Sequence, residues 1–295
     1  MVLVDSIKKS FGCIIKNPSI TVIFVSFLIA SNVLAWFILS SRILILAQIL
    51  ILCLFACIFV FFAGWFRVIK ESVDIEKIKE KNFYSLFLEG VGEGVIPVTI
   101  SIILYIFFVF ITVLMAQFVA MKVFGSIDFF FDGMRQVQDA SKLSYETPKF
   151  AEYFNSLDVN QKYIIYGWNF CIMAFLGVLN FLSLFYFPSL ISSDKNIFLR
   201  PFISIWEGLK FLFKNFFSAI ALTLFIYVIN MILAFLNALF AQNFVISFVL
   251  LLIYIYFISY VVMLIFNYYE AKNNSSDRTD CIGENKADNS VSEEN

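Results

Sequence analysis

Side chains able to do acid–base or metal chemistry are scarce in this chain. The 295-residue sequence contains no His, the commonest general base and metal ligand. None of its five Cys forms a CxxC pair, so their spacing predicts neither a zinc site nor a disulfide framework. Cys53 and Cys57, four positions apart, are interpreted as small packing residues. We therefore predict no catalytic residue, no metal, no cofactor and no enzyme activity.

Two further patterns have both a chemical and a structural interpretation. The glycines of EGVGEGVIP lack the spacing of a phosphate-binding loop and follow no strand, which favours a flexible segment leading into an apolar run. The carboxylates Asp128, Asp132 and Asp139 lie in a polar stretch. We interpret them as a solvated face, because no nucleophile–base pair or metal-binding pattern accompanies them.

Neutral polar residues inside long apolar runs are the remaining candidates for a binding site. They recur at steps of three and four, which places them on one side of a helix. Such a seam either packs helices through interhelical hydrogen bonds or lines a cavity for a neutral or zwitterionic solute or a lipid headgroup. The candidate cavity residues are Tyr105, Asn169, Asn180, Tyr227, Asn230 and Asn237.

Six apolar runs must position these residues. The composition is 61% hydrophobic and 15% charged, and a bilayer-crossing helix needs roughly 20 apolar residues. The predicted fold class is an all-α polytopic membrane protein whose membrane domain covers 19–270. Its predicted spans are 19–40, 43–66, 96–121, 165–190, 216–241 and 244–268, with an outer loop at 122–163. An amphipathic interfacial helix (1–18) precedes them, and a disordered acidic tail (271–295) follows.

The basic residues predict the orientation. With the N-terminus inside, 15 of the 21 Lys and Arg residues fall in cytoplasmic segments and 6 in outer segments. This bias predicts a multi-pass protein of the cell inner (plasma) membrane with both termini in the cytoplasm. The net charge of −1, without a dense basic patch, predicts no nucleic-acid partner.

The stretch KNIFLRPFISIWEGLKFLFKNFF (195–217) has helical amphipathicity. It predicts a second interfacial helix over 198–215, with Arg200, Trp206, Lys210 and Lys214 facing the membrane surface. The alternative is a structural elbow that sets the angle of span five. The segment VLVDSIKKSFGCIIKNP before span one also ends in Lys-Asn, and KEKNFYSLFLEG before span three is a weaker copy. We therefore hypothesise three repeated units, each a lead-in helix followed by two spans.

Three stretches carry a family resemblance: FGCIIKNPSI, FAGWFRVI and FPSLISSDKNIFLRPFISIWEGLKFLFKNFF. They resemble a broad superfamily of mostly uncharacterised bacterial six-helix membrane proteins related to the membrane domain of glycerophosphodiester phosphodiesterase. The resemblance rests chiefly on Pro188, Ile191, Ser204, Lys210, Lys214 and Asn215. It implies a six-helix integral membrane domain. The phosphodiesterase chemistry of that family belongs to a separate soluble domain that uses His, which this chain lacks, so that activity is not carried over.

Two functional hypotheses follow. The first is a non-enzymatic envelope protein that organises lipids or partner proteins, with membrane lipids, other membrane proteins or a second copy of itself as partners. The alternative is a small transporter or channel that uses the polar seam on spans three to five. No intramembrane charge is available to couple transport to protons or ions, which favours the first hypothesis.

Overall fold

The computed structural model describes residues 2–41, 44–72, 82–135, 150–240 and 242–291, and every regular element among them is a helix. Six helices are long and apolar enough to cross a membrane, which confirms the predicted all-α, multi-pass membrane class. Spans one to six are, in order, Ser19–Ser40, Leu44–Ser72, Phe83–Phe124, Val159–Leu182, Phe216–Leu239 and Phe244–Val291.

Shorter helices lie before and between the spans. The lead-in helix (Val2–Lys16) precedes span one, and the amphipathic helix (Arg200–Lys214) precedes span five, as predicted. A linking helix (Tyr186–Ser192) follows span four. Between spans three and four, the chain forms short helices at 128–135 and Phe150–Ser156. Residues 136–149 of the predicted outer loop, which include Asp139, lie outside the described residues.

The glycine-rich segment before span three is helical, which corrects the predicted flexible segment. Span three is one continuous helix from Phe83 to Phe124. Gly90 lets span two approach closely, because a Cβ there would overlap the Cβ of Arg67. On span two, a Cβ at Gly64 would lie 2.6 Å from the ring of Phe87. Tertiary packing therefore outweighs the intrinsic cost of glycine in a helix.

Span four begins and ends earlier than the predicted 165–190, and its end differs in form. The helix stops at Leu182, a turn covers 183–185, and the linking helix begins at Tyr186. Pro188 lies in the first turn of the linking helix, where its missing N–H removes no intrahelical hydrogen bond. The proline is thus compatible with a new helix start, whereas it would break a continuous span.

The last helix extends beyond the apolar run. Its apolar part ends at Asn273, but the helical backbone continues to Val291, where composition predicted disorder. Extending an existing helix adds one hydrogen bond for each residue fixed, without the cost of nucleation. Span six therefore provides a start from which a polar segment can continue as helix.

The chain divides into two compact units, 1–102 with 183–295, and 103–182. In the first unit, the ends of span two, the linking helix and span six meet in an aromatic core. The ring centroid of Phe66 lies 5.0 Å from that of Phe187 and 5.9 Å from that of Phe266. Nearby, Trp65 donates its indole N–H to the carbonyl oxygen of Ile20, over 3.3 Å. The start of span one is thereby attached to span two.

The second unit has its own small core of Ile127, Leu157 and Ile165. Gly125 turns the chain at the end of span three with a φ of 90°, a conformation that favours glycine. The carbonyl oxygen of Gly125 accepts a hydrogen bond of 3.0 Å from the indole N–H of Trp168. This bond fixes the turn against span four.

Large apolar side chains are exposed along all six spans, and Trp36, Phe110 and Phe170 are examples. Leaving such side chains in water costs about 1.5–3 kcal/mol each relative to burial. A protein in water rarely carries continuous apolar surfaces of this kind. The exposed faces of the spans are therefore suited to contact with lipid.

The hypothesised repeat appears as a repeated pattern of burial. Where a position in the lead-in helix or in spans one and two is buried, the position 198 residues later is often buried too. Ser6 and Ser204 are an example. The buried pairs include Ser6 and Ser204, Ser10 and Gly208, Cys13 and Phe211, Ile14 and Leu212, Phe24 and Leu222, Phe61 and Ser259, Trp65 and Met263, and Ile69 and Asn267. The shared pattern supports a repeat between the segment that begins with the lead-in helix and the segment that begins with the amphipathic helix.

A related pattern occurs before span three, in a different place from the one predicted. Gly90, Gly94, Pro97 and Val98 are buried at the same spacing as Ser6, Ser10, Cys13 and Ile14 in the lead-in helix. The match therefore begins at the end of KEKNFYSLFLEG, whose residues 79–81 lie outside the described part of the chain. In this middle copy, the helix continues into the span without a break.

Candidate functional site

The amphipathic helix packs on the protein through the small residues Ser204 and Gly208 together with Phe211 and Leu212. Ser204 and Gly208 are buried, and a Cβ at Gly208 would lie 3.2 Å from the carbonyl carbon and oxygen of Phe185. Three other large side chains point away: Trp206 is 71% exposed, Phe213 is 63% exposed and Phe202 is 54% exposed. The helix therefore presents an aromatic face, which we define as Phe202, Trp206 and Phe213, to its surroundings.

The lead-in helix is arranged in the same way. Its buried side consists of Ser6, Ser10, Cys13 and Ile14, whereas Val4, Phe11 and Ile15 are each more than half exposed. A buried hydrogen bond attaches it to span six: the Asn267 amide N–H₂ donates to Ser10 Oγ over 2.6 Å. Ser10 Oγ in turn donates to the carbonyl oxygen of Ser6 over 2.7 Å. Burial raises the pKa of the Cys13 thiol, an effect that Lys9 and Lys16 partly offset.

A polar cleft lies beside the amphipathic helix, bounded also by the linking helix and the end of span six. Its volume is about 840 Å³. Four lysines, two carboxylates and three serines line it. The serines are Ser189 and Ser192 of the linking helix and Ser193, which follows it. The lining residues that could bind a ligand are Ser189, Ser192, Lys195, Glu207, Lys210 and Lys214.

Arg200 does not face the surroundings as the sequence predicted. Its guanidinium donates to the carbonyl oxygens of Leu190, over 2.6 Å, and Ile191, over 3.1 Å. Lys70 Nζ donates to the same Ile191 carbonyl over 3.3 Å. Two cations therefore cap the C-terminus of the linking helix, where the helix dipole is negative. Burial lowers the pKa of Arg200, and Asp194 and Glu93 oppose that shift.

Trp206, Lys210 and Lys214 are exposed, as the predicted interfacial helix requires. Sequence analysis missed the role of Arg200 because its partners are main-chain carbonyls, which leave no residue pattern. It also missed a second charged contact: Arg67 lies 2.9 Å from Glu89 and 3.5 Å from Glu71. The Arg67–Glu71 spacing of four was readable on a helix, whereas Glu89 belongs to another span.

The polar seam residues of spans three and four meet at one point. The Tyr105 hydroxyl donates to the Asn180 side-chain oxygen over 2.6 Å, so this pair acts as an interhelical hydrogen bond. Asn169 donates to the carbonyl oxygen of Ile165 in its own helix over 2.9 Å. It also lines a cavity of about 650 Å³ in the second unit, together with Trp168.

The seam residues of span five belong to the first unit. Tyr227 and Asn230 line a groove of about 240 Å³ with Tyr254 of span six. Asn237, seven positions beyond Asn230, is exposed and is not among the residues that line this groove. A single cavity formed by all six candidate residues stays a prediction.

The carboxylates of the outer segment engage in local contacts. Asp128 accepts a hydrogen bond of 2.6 Å from Ser126 Oγ, and Asp132 lies 3.8 Å from Arg135 in an exposed ion pair. Among the described residues, no group of three or more His, Cys, Asp and Glu side chains is arranged to hold a metal ion.

The chain matches no family model, no curated protein and no solved structure. The resemblance to the six-helix superfamily therefore stays a prediction.

Proposed function

We propose that this multi-pass membrane protein has a non-catalytic role in organising lipids at the cytoplasmic surface of the bacterial inner membrane. The lead-in helix and the amphipathic helix are the parts of the chain assigned to this role. The charge bias predicts that both termini lie in the cytoplasm, and with that orientation these two helices lie at the same membrane surface.

The observation that carries the proposal is the second, outward apolar face of the two helices. Each buries small residues together with a few apolar ones (Ile14, Phe211 and Leu212) against the protein, yet exposes other large apolar side chains, among them Trp206 and Phe11. In water, each exposed large side chain forfeits about 1.5–3 kcal/mol of burial free energy. The arrangement is favourable where the exposed side meets the boundary between headgroups and acyl chains.

The charges on the amphipathic helix fit the same placement. Lys210 and Lys214 are exposed on a helix whose aromatic face is also exposed. Basic side chains near anionic lipid contribute about 1 kcal/mol each, and aromatic rings favour the interfacial region. The helix thus combines the two interactions that hold a segment in the plane of a membrane surface.

Spin-label accessibility tests the placement. Single cysteines at positions 206 and 210, in a variant without the native cysteines, are labelled with a nitroxide in reconstituted vesicles. We expect the label at 206 to collide with oxygen, which concentrates in the membrane, and the label at 210 to collide with a water-soluble nickel complex. Equal exposure of both labels to the nickel complex would contradict an interfacial helix.

Lipid analysis tests the organising role itself. The protein is extracted in mild detergent, and the lipids that remain bound are compared with those of the whole membrane. We expect one headgroup class to be enriched. A bound fraction with the composition of the bulk membrane would refute lipid organisation, even if the helix is interfacial.

A further inference from the structure

We propose that the cleft between the linking helix, the amphipathic helix and the end of span six binds a phosphate group, as carried by the headgroup of an anionic phospholipid. The chemistry follows from the lining of the cleft. Its assignment to a lipid rests on the proposed function, because that function places the amphipathic helix at the membrane surface.

The cleft has an excess of positive charge. Lys195, Lys210, Lys214 and Lys272 line it, against Asp194 and Glu207. Within the part of the chain that the structure describes, Lys195 and Lys210 have no ion pair or side-chain hydrogen bond. Their ammonium groups are therefore available to an incoming anion, and a phosphate can accept hydrogen bonds from both.

The linking helix would repel an anion if its C-terminus were uncapped. Its last carbonyl groups carry a negative partial charge and lie beside the cleft. Arg200 and Lys70 occupy the carbonyls of Leu190 and Ile191. These two cations neutralise the end of the helix, so the lysines of the cleft need not do so.

Hydroxyl groups add neutral donors. Ser192 Oγ is buried and has no hydrogen-bond partner among the described residues, and Ser192 lines the cleft. Ser189 Oγ donates to Glu207 Oε2 over 3.3 Å, a long bond that holds the carboxylate against the linking helix. A buried hydroxyl without a partner gains more from a phosphate oxygen than a solvated one does.

The position of the cleft suits a lipid headgroup. Lys210 follows Trp206 by four residues, which is about one helical turn or 6 Å along the axis. A headgroup held by Lys210 therefore lies at nearly the depth of the aromatic face. The volume of about 840 Å³ is within the range of sites that enclose a small ligand.

The test measures retention of phosphatidylglycerol relative to phosphatidylcholine by the full-length protein in detergent, using native mass spectrometry. The variant Lys195→Gln/Lys210→Gln removes both available ammonium groups. Each lysine is expected to contribute about fivefold, so retention should fall about 25-fold in the double variant. The variant Glu207→Gln removes a repulsive charge but keeps an acceptor for Ser189, and retention should rise about fivefold.

The matched control is Lys122→Gln/Arg135→Gln, which makes the same charge change at exposed positions outside the lead-in helix and the amphipathic helix. A control that loses as much lipid as Lys195→Gln/Lys210→Gln overturns the site, because retention would then reflect only the general surface charge. Retention that falls in Glu207→Gln also overturns it, because the occupant would then be a cation.

A second arm distinguishes the source of the phosphate. Binding of inorganic phosphate is measured by calorimetry on the wild-type protein and the same three variants. Inorganic phosphate that binds in a Lys195- and Lys210-dependent manner, without lipid selectivity, supports the phosphate site but assigns it to a soluble ligand. No dependence in either arm overturns the site, whereas the spin-label result at position 206 decides the proposed function separately.

Discussion

Replacing Ser10 with alanine should release the lead-in helix from span six. Ser10 Oγ accepts a hydrogen bond of 2.6 Å from the Asn267 amide, and Ser10 and Asn267 are fully buried and 2% exposed, respectively. In Ser10→Ala, the amide keeps its burial but loses its acceptor, and its own side-chain oxygen already has no partner among the described residues. An orphaned buried polar group costs about 1–3 kcal/mol, so the undocked fraction should rise roughly 5- to 150-fold.

The buried thiol of Cys13 reports on this undocking. Cys13 is 1% exposed in the docked helix, so a membrane-impermeant maleimide reaches it only when the helix leaves span six. In a variant whose other four cysteines are replaced, the labelling rate should rise by the same factor as the undocked fraction. Ser26→Ala is the matched control, because Ser26 Oγ donates only to Val22 in its own helix.

A double-mutant cycle isolates the contact. In an Asn267→Leu background, no amide remains to be orphaned, so adding Ser10→Ala should change the labelling rate by less than about twofold. Ser10→Ala that labels no faster than Ser26→Ala would refute the proposed attachment. Equal effects of Ser10→Ala in the wild-type and Asn267→Leu backgrounds would show that the two side chains do not interact.

Three further outcomes are expected. Gly208→Ala should destabilise the protein by about 1–3 kcal/mol, because its Cβ meets main-chain atoms, whereas Gly12→Ala, with open space around it, should be neutral or slightly stabilising. Thermal unfolding in detergent compares the two variants, and equal shifts of the unfolding temperature would contradict close packing at Gly208. Tyr105→Phe should cost about 1 kcal/mol in the same assay through loss of the hydrogen bond to Asn180, and an unchanged unfolding temperature would show that the bond contributes nothing. Because burial raises the pKa of Cys13, docking of the lead-in helix is fully stable below the ordinary thiol pKa and weakens as pH rises through the raised value. The alkylation rate of Cys13 should therefore inflect at a higher pH than the alkylation rate of an exposed thiol placed at position 8 in a Cys13→Ala variant. Identical inflections would refute the effect.

The repeated burial pattern suggests how the compact unit of residues 1–102 and 183–295 is assembled. Each small-residue segment packs on the end of a span: Ser10 on span six, Gly90 on span two, and Gly208 on the turn before the linking helix. Small residues allow close approach of helices where no water is present to drive apolar association. Gly90 and Gly208 are therefore expected to tolerate substitution poorly.

The sequence by itself determined the membrane class, the number of spans and the existence of both amphipathic helices. These features depend on local composition and on a period of 3.6 residues, which a single segment carries without its neighbours. The Lys-Asn endings at Lys16-Asn17 and Lys214-Asn215 also predicted a repeat, because a short motif beside a helix end is local information.

Only the tertiary structure decided which side of each amphipathic helix faces the protein. The periodic pattern marked Trp206 and Phe213 as one face but could not show that Ser204 and Gly208 form the docking surface, because small residues have no hydropathy signal. Tertiary contacts also gave Arg200 its partners on the linking helix and turned the glycines before span three into a helix packed on span two. Every residue has a main-chain carbonyl, so the sequence does not reveal which carbonyl a side chain contacts or where two backbones come close. Contacts of this kind are decided only when distant segments meet.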